Sequence, residues 1–310
     1  AIPPKMRENF IRIVKKLRGG VCMWEQQLIE TENGVFEVFT AGEGEPLCVT
    51  HLYSEFNANG NRFAAMFVPH YKVYLVNLRG CGNSTADTSR LNYSMHDSVE
   101  DLESIRRALQ IDSWGFAGHS TGGMLALKYA ILHPESLRFI VAGGLCASSE
   151  YMRHVGSMYC KENPNNKRIL EILAMLKDPA STLEERRAGS KEWALMSLYK
   201  AESYDNMVSR PNSGNTVAKR LDYFSYEELP TFDLRPQLPD VQVKAYIYGG
   251  FYDAQCPYDY AEEAAQLLGN ATLTTFSESN HHPCIEEEQK FTEFVAAIAD
   301  EQRKEETNHA

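Results

Sequence analysis

Length, composition and charge narrow the protein classes before any motif is considered. The chain has 310 residues, 43% of them hydrophobic and 24% charged, which suits one large globular unit with a full core. No apolar run reaches the ~18 residues of a membrane-spanning helix, and a net charge of −11 argues against a nucleic acid partner. With no secretory pattern at its beginning, the sequence predicts a cytoplasmic protein.

The first stretch and the cysteines carry weaker signals. "MRENFIRIVKKLRG" is basic and has apolar residues at helical spacing. It predicts a helix that docks on the body of the protein or on a second copy of the chain, with a membrane-surface helix as the alternative. The seven cysteines are scattered and form no C-x-x-C pair, so neither a disulfide framework nor a zinc site is expected.

Short β-rich runs follow in chain order. The first two alternate and are joined by "TENG", which predicts a β-hairpin. Six later runs are almost continuously apolar, as strands covered on both faces should be, and helix-period segments separate several of them. The two edge runs cover 23–30 and 35–40; the later runs cover 46–51, 72–78, 113–118, 137–144, 243–250 and 272–276; the helical segments cover 97–110, 120–133, 257–268 and 287–300. This pattern predicts an α/β fold with a mostly parallel, doubly wound sheet.

The alternation of strands and helices stops between residues 146 and 235. This stretch contains helical segments such as "NKRILEILAMLK" and no convincing strand. We expect a core made of residues 1–145 and 236–310, with residues 146–235 inserted as a helical cap over one end of the sheet. Crossover helices joined by a long loop are the alternative.

Ser120 stands between two glycines in "GHSTGG", after a predicted strand and before a predicted helix. A sharp strand-to-helix turn needs small neighbours and leaves the serine hydroxyl exposed above the sheet. A serine in this position becomes a nucleophile when a base takes its proton and an acid orients that base. The motif therefore makes Ser120 a candidate nucleophile.

Candidate partners for Ser120 follow it in the order serine, acid, histidine that is expected for this arrangement. Asp253 comes directly after the run 243–250, and "SNHHPCIEEE" offers His281 or His282 after the run 272–276. Asp259 and Glu278 are alternative acids. A metal cluster of His119, His281 and His282 is also conceivable, but the spacing is not that of a zinc site, and we expect no metal and no cofactor.

Four motifs together resemble the α/β-hydrolase superfamily, and within it the proline iminopeptidase-like group. They are "NLRGCGNS" (77–84), "GHSTGG" (118–123), "YGGFYDAQCP" (248–257) and "SNHHPCIEE" (279–287). The resemblance implies an α/β-hydrolase fold and the catalytic residues Ser120, Asp253 and His281. It favours His281 over His282 because of its spacing to Pro283 and Glu286.

The chain departs from this group in two loops. Where the group carries H-G-G-P-G, this sequence has "HLYSE" (51–55) without glycine or proline. The resemblance still implies an oxyanion hole made by the N–H of Thr121 and that of Leu52 or Tyr53, with Tyr53 also crowding the substrate pocket. In the second loop, "NLRGCGNS" (77–84), Asn77 replaces the aspartate that is usual in this group, and we interpret this replacement as a structural change.

The substrate is the least determined part of the prediction. In iminopeptidases of this group, cap carboxylates hold the free amine of the substrate, and Glu150, Glu202, Asp205 and Glu227 are candidates for that role. The resemblance therefore favours a proline iminopeptidase-like aminopeptidase acting through an acyl-enzyme on small peptides or amides. The alternatives are a carboxylesterase or lactonase, and a non-catalytic binding protein of the same fold. The partners expected are a small-molecule or short-peptide substrate, with a homo-oligomer left open.

Overall fold

A mixed eight-stranded sheet organises the part of the chain that the computed structural model describes, residues 24–84 and 93–309. The strands are β1 Glu25–Thr31, β2 Gly34–Ala41, β3 Pro46–Val49, β5 Lys72–Val76, β6 Trp114–His119, β7 Leu137–Gly143, β9 Lys244–Gly250 and β10 Ala271–Phe276. Their order in the sheet is β1-β2-β5-β3-β6-β7-β9-β10. The first pairings, β1 with β2 and β2 with β5, are antiparallel, and all the others in this sheet are parallel.

Helices cover both faces of this sheet, as the apolar character of its strands requires. The helices outside the stretch 146–235 are α1 Arg62–Ala65, α2 Met95–Ala108, α3 Thr121–Leu132, α8 Tyr258–Leu267, α9 Pro283–Glu286 and α10 Glu288–His309. One face of the sheet packs on α2, α3 and α8, and the other packs on α1 and α10. The predicted hairpin, parallel strands and doubly wound α/β fold are confirmed. The predicted basic helix near the beginning lies outside the described residues.

The stretch 146–235 is mainly helical, as predicted. It contains α4 Asn166–Lys177, α5 Leu183–Met196, α6 Ser203–Val208 and α7 Ala218–Tyr223, followed by a π-helical turn at Phe224–Glu228. The expectation that it holds no strand is wrong. A two-residue strand, β8 (Asn215–Thr216), pairs with β4 (Ser54–Glu55) of the core, and a strand this short has no sequence period to detect. The assignment of this stretch as a separate cap stays a prediction, and we call it the cap segment.

No helix within the described ranges is long and apolar enough to cross a membrane.

Candidate active site

Ser120 occupies the turn between β6 and α3. Its φ of 58° and ψ of −126° fall in a backbone region that residues other than glycine rarely adopt. Its N–H donates to the carbonyl of Gly143 at 2.9 Å, which ties the turn to the end of β7. Its side chain does not cap the helix that follows and instead lines a cavity. Surrounding contacts thus hold the strained residue with its hydroxyl facing open space.

The glycines on either side of Ser120 are required by two close backbone approaches. A Cβ on Gly118 would lie 2.0 Å from the carbonyl oxygen of Gly122, and a Cβ on Gly122 would lie 2.5 Å from that of Thr50. Real Cβ atoms do not come this close to a carbonyl oxygen. These contacts are the physical reason for the G-x-S-x-G spacing.

Asp253 and His281 form a buried pair at the same edge of the sheet. His281 Nδ1 lies 2.8 Å from Asp253 Oδ2 and 3.0 Å from Oδ1, and both residues are almost inaccessible to solvent. The N–H groups of Gln255 and Cys256 donate to Asp253 Oδ1 at 2.9 and 2.8 Å. A carboxylate that accepts a hydrogen bond from Nδ1 keeps the proton on that nitrogen and leaves Nε2 free to accept a proton.

The imidazole of His281 meets the Ser120 turn at the end of β7. A Cβ on Gly144 would come within 3.2 Å of His281 Cε1, and the neighbouring Gly143 carbonyl accepts the Ser120 N–H. The structure therefore brings Ser120, Asp253 and His281 to one place, although 133 positions separate the first two in the numbering. That the three side chains act together as catalytic residues stays a prediction of the sequence motifs.

Three further histidines surround His281 and remain uncharged near neutral pH. Burial, followed by the electrostatic influence of the neighbouring His281, lowers the pKa of His51 and of His282 to about 3, and lowers that of His119 well below its ordinary value. His119 Nδ1 lies 2.9 Å from the Tyr248 hydroxyl. Only His281 contacts a buried carboxylate, so the geometry favours His281 over His282 as a base.

The loop His51–Glu55 lies beside the turn that carries Ser120. His51 Nε2 is 3.1 Å from Thr121 Oγ1. Tyr53 N–H donates to His51 Nδ1 at 3.4 Å, whereas the N–H groups of Leu52 and Thr121 have no backbone acceptor in the described part of the chain. Burial raises the pKa of the Tyr53 hydroxyl to about 12, so it stays protonated. Of the two loop residues left open by the sequence, Tyr53 lines the same cavity as Ser120, whereas Leu52 is fully buried, and the choice between their N–H groups as oxyanion donor stays a prediction.

A cavity of about 390 Å³ opens above Ser120, between the sheet edge and the cap segment. Its wall is mostly apolar and aromatic, and the π-helical turn contributes part of it. Of the described residues in the wall, Lys177 is the only charged one. The polar members are Ser120, Thr121, Lys177, Ser225 and Gln255, and the others are Tyr53, Met124, Tyr151, Met152, Tyr159, Leu170, Leu173, Ala174, Trp193, Leu221, Phe224, Tyr226, Leu229 and Cys256.

The cap carboxylates predicted to bind substrate do not line this cavity. Glu150 pairs with Arg235 at 3.2 Å on the surface, and Glu202, Asp205 and Glu227 are exposed. Of the predicted substrate-binding residues, only Tyr53 lies in the wall. Sequence alone could not place the carboxylates, because the packing of the cap helices decides which of their faces meets the cavity.

The alternative acids and the alternative metal site receive no support from the geometry. Asp259 pairs with His154 at 3.1 Å, and Glu278 pairs with Lys200 at 2.6 Å, both at exposed positions. Among residues 24–84 and 93–309, no group of three or more His, Cys, Asp or Glu side chains is arranged to hold a metal ion.

Sequence reasoning missed Gln255, which joins the cavity wall to the acid and base loops. Its side chain accepts from the Tyr159 hydroxyl at 2.7 Å and donates to Ser197 Oγ at 2.9 Å. The carbonyl of Ser197 accepts the N–H of His281 at 3.2 Å. The only signal in the sequence is its place two residues after Asp253.

Comparison with known proteins agrees with this fold. A family model described as alpha/beta hydrolase fold matches residues 50–169. The solved structure of an alpha/beta fold family hydrolase from Bacillus anthracis str. Sterne has 52% sequence identity and a TM-score of 0.87. The match covers 89% of this chain and 99% of that one.

More distant relatives carry more specific names. A proline iminopeptidase from Heyndrickxia coagulans is 24% identical over 236 residues, which is 74% of this chain and 80% of the relative. The structure of an esterase from Exiguobacterium antarcticum superposes with a TM-score of 0.64 at 22% identity, covering 89% of this chain and all of the esterase chain. At that identity the similarity to the esterase shows the fold alone.

Proposed function

Because the chain belongs to the α/β hydrolase family and is a hydrolase, we propose that it is a serine hydrolase of carboxylic esters with an apolar acyl group. The observation that carries this proposal is the cavity wall beside Ser120, which is apolar and aromatic and includes no carboxylate among the described residues. Each Å² of apolar acyl surface that is buried against this wall stabilises the bound substrate by about 25 cal/mol. A charged amine would lose its hydration without a negative partner.

The proposed reaction begins with Ser120. His281 Nε2 takes the proton from Ser120 Oγ as the oxygen attacks the ester carbonyl carbon, and the resulting imidazolium is stabilised by Asp253, 2.8 Å from Nδ1. The tetrahedral oxyanion accepts hydrogen bonds from the N–H groups of Thr121 and Tyr53. His281 then gives its proton to the leaving alkoxide, and the acyl group stays on Ser120.

Release of the acyl group uses the same residues in a second cycle. His281 removes a proton from a water molecule, the hydroxide attacks the acyl carbon, and the carboxylic acid leaves as Ser120 regains its proton from His281. The buried Asp253 carboxylate, held by two backbone N–H groups, orients the imidazole in both cycles.

Proline iminopeptidase activity is the second candidate function. It is supported by the proline iminopeptidases among the relatives, at about 24% identity. A prolyl ring is apolar and suits the cavity wall. The amine of such a substrate would lack the carboxylate partner that the sequence resemblance implies, because Glu150, Glu202 and Glu227 lie elsewhere.

The two candidates are separated by comparing turnover of an aryl butyrate ester with turnover of prolyl arylamide. We expect rapid ester cleavage, little arylamide cleavage, and a loss of at least about 10³-fold in Ser120→Ala. Ser190→Ala, which removes an exposed hydroxyl of α5 outside this wall, is the control and should retain activity. Faster cleavage of the arylamide would favour the second candidate, and no Ser120-dependent cleavage of either compound would overturn the proposal.

A further inference from the structure

Arg220 on α7 is a buried arginine whose hydrogen bonds all go to neutral acceptors in the described part of the chain. It is 1% exposed. Its Nε donates to the carbonyl of Leu52, Nη1 to the carbonyl of Arg79 at 2.9 Å, and Nη2 to Ser98 Oγ at 2.7 Å. A buried guanidinium is costly without a carboxylate partner, so this placement calls for a physical reason.

The reason lies in the loop that Arg220 contacts. The sequence "HLYSE" (51–55) has no proline that would restrict its backbone, so its conformation depends on tertiary contacts. Besides Arg220, the Val217 N–H donates to the carbonyl of Tyr53 at 2.8 Å, and Thr216 pairs with Ser54 in the short β4–β8 ladder. Residues 215–220, which we call the cap clamp, therefore hold consecutive peptides of this loop.

We propose that Arg220 is a positioning residue for the oxyanion hole, fixing the peptide between Leu52 and Tyr53 so that its N–H, which is that of Tyr53, meets the tetrahedral oxyanion. The inference rests on the proposed function. A planar peptide that is held at its carbonyl oxygen also has its own N–H held in a fixed direction, here that of Tyr53, which lines the same cavity as Ser120. A fixed donor stabilises developing charge without the cost of reorganising the loop during reaction.

The positive charge of Arg220 also acts on this loop. After burial and His281, Arg220 is the next contributor to lowering the pKa of His51 to about 3. Nδ1 of neutral His51 lies 2.8 Å from the Ser54 hydroxyl and 3.4 Å from the Tyr53 nitrogen, so its contact with the Tyr53 N–H is the weaker one and leaves that N–H to the oxyanion. The same positive charge favours an oxyanion over the neutral ester carbonyl.

The test is Arg220→Met, measured with the aryl butyrate ester. We expect kcat to fall about 10- to 100-fold with KM changed by less than about threefold, because the ground-state carbonyl gains little from the donor. The affinity for a trifluoromethyl ketone inhibitor, which forms a tetrahedral adduct on Ser120, should fall by a similar factor. Binding of the product acid should not change.

Arg186→Met is the matched control. Arg186 also lies in the cap segment and donates to three backbone carbonyls, those of Leu176, Asp178 and Ser181, but it does not touch the loop 51–55. Its replacement should leave kcat and inhibitor affinity unchanged. An equal loss of kcat in both variants would show a general effect of cap stability and would overturn the inference.

Arg220→Lys keeps the inference testable if the methionine variant does not fold. Lysine keeps the positive charge and loses the fork of donors, so we expect a folded protein with kcat lowered about five- to tenfold. Wild-type kcat in a folded Arg220→Lys or Arg220→Met variant would overturn the inference while leaving the proposed function intact. Activity that survives in Ser120→Ala would instead overturn the proposed function.

Discussion

Asp253 and His281 form a buried carboxylate–imidazole pair in which Nδ1 lies within 3.0 Å of both carboxylate oxygens. The pair comes from two loops that follow β9 and β10, neighbouring parallel strands whose carboxyl ends lie at the same edge of the sheet. The loop of His281 is further held by the cap segment through Ser197. The orientation of the imidazole thus depends on both the sheet and the cap segment.

Replacing Asp253 by asparagine should lower kcat by about 10³- to 10⁴-fold with little change in KM. The amide would present an N–H to Nδ1 and favour the tautomer in which Nε2 carries the proton and cannot act as a base. Steady-state turnover of the aryl ester measures the effect. Asp259→Asn, at an exposed position six residues further on, should behave as wild type, and a loss of less than tenfold in Asp253→Asn would contradict this role.

Acid should destabilise the protein through its neutral buried histidines. The folded pKa of His282 is lowered to about 3 from an ordinary 6.5, so between these values the unfolded chain binds a proton that the folded chain does not. Stability therefore falls as the pH falls from about 6.5 towards 3. Thermal unfolding followed across this range should show a shallower decline in His282→Asn, with about one proton fewer taken up on unfolding.

The same variant separates stability from catalysis. Because His282 stays uncharged in the folded protein above pH 4, the acid limb of the kcat profile should not move in His282→Asn. A shift of that limb by more than half a pH unit would assign part of the base function to His282.

The contacts of Asn77 explain why asparagine can replace the aspartate that is usual at this position in the proline iminopeptidase-like group. Its Nδ2 donates to Glu37 Oε2 at 2.7 Å and to the Phe56 carbonyl at 3.0 Å, and its Oδ1 accepts the Phe56 N–H at 2.7 Å. The side chains of Asn77 and Glu37 are both buried. An aspartate here would lose a donor and would face the Glu37 carboxylate.

Asn77→Asp should therefore lower the free energy of unfolding by about 2–4 kcal/mol at pH 7, measured by urea denaturation. Glu37→Gln in the same chain removes one of the two charges and should restore part of the loss. Additive effects of the two substitutions, or a cost below 0.5 kcal/mol for Asn77→Asp, would show that the two groups do not interact as described.

Narrowing the cavity should shift the preference for acyl length. Leu173 lies on the face of α4 that lines the cavity, so Leu173→Trp should reduce kcat/KM for an octanoyl ester by about tenfold more than for an acetyl ester. Leu183→Trp, at an exposed position of α5, is the control. Equal effects on both esters would place the acyl chain elsewhere.

Local sequence patterns were enough to predict most of the fold and to name the candidate catalytic residues. Alternating and continuous apolar runs predicted the sheet, and the glycines beside Ser120 predicted a turn whose backbone contacts exclude any Cβ. The cap clamp was not predictable, because Arg220 and Leu52 meet across 168 positions and β8 has only two residues. The cap carboxylates were misplaced because tertiary packing decides which helix face turns inward.

The central claim is that Ser120 is a nucleophile activated by His281, and covalent labelling by a fluorophosphonate tests it most directly. Intact-mass and peptide analysis should find one phosphonyl group on Ser120 of the wild-type protein, a rate of labelling lowered at least about 10²-fold in His281→Ala, and none in Ser120→Ala. A folded wild-type protein that takes no label, or a label that persists in Ser120→Ala, would contradict the claim.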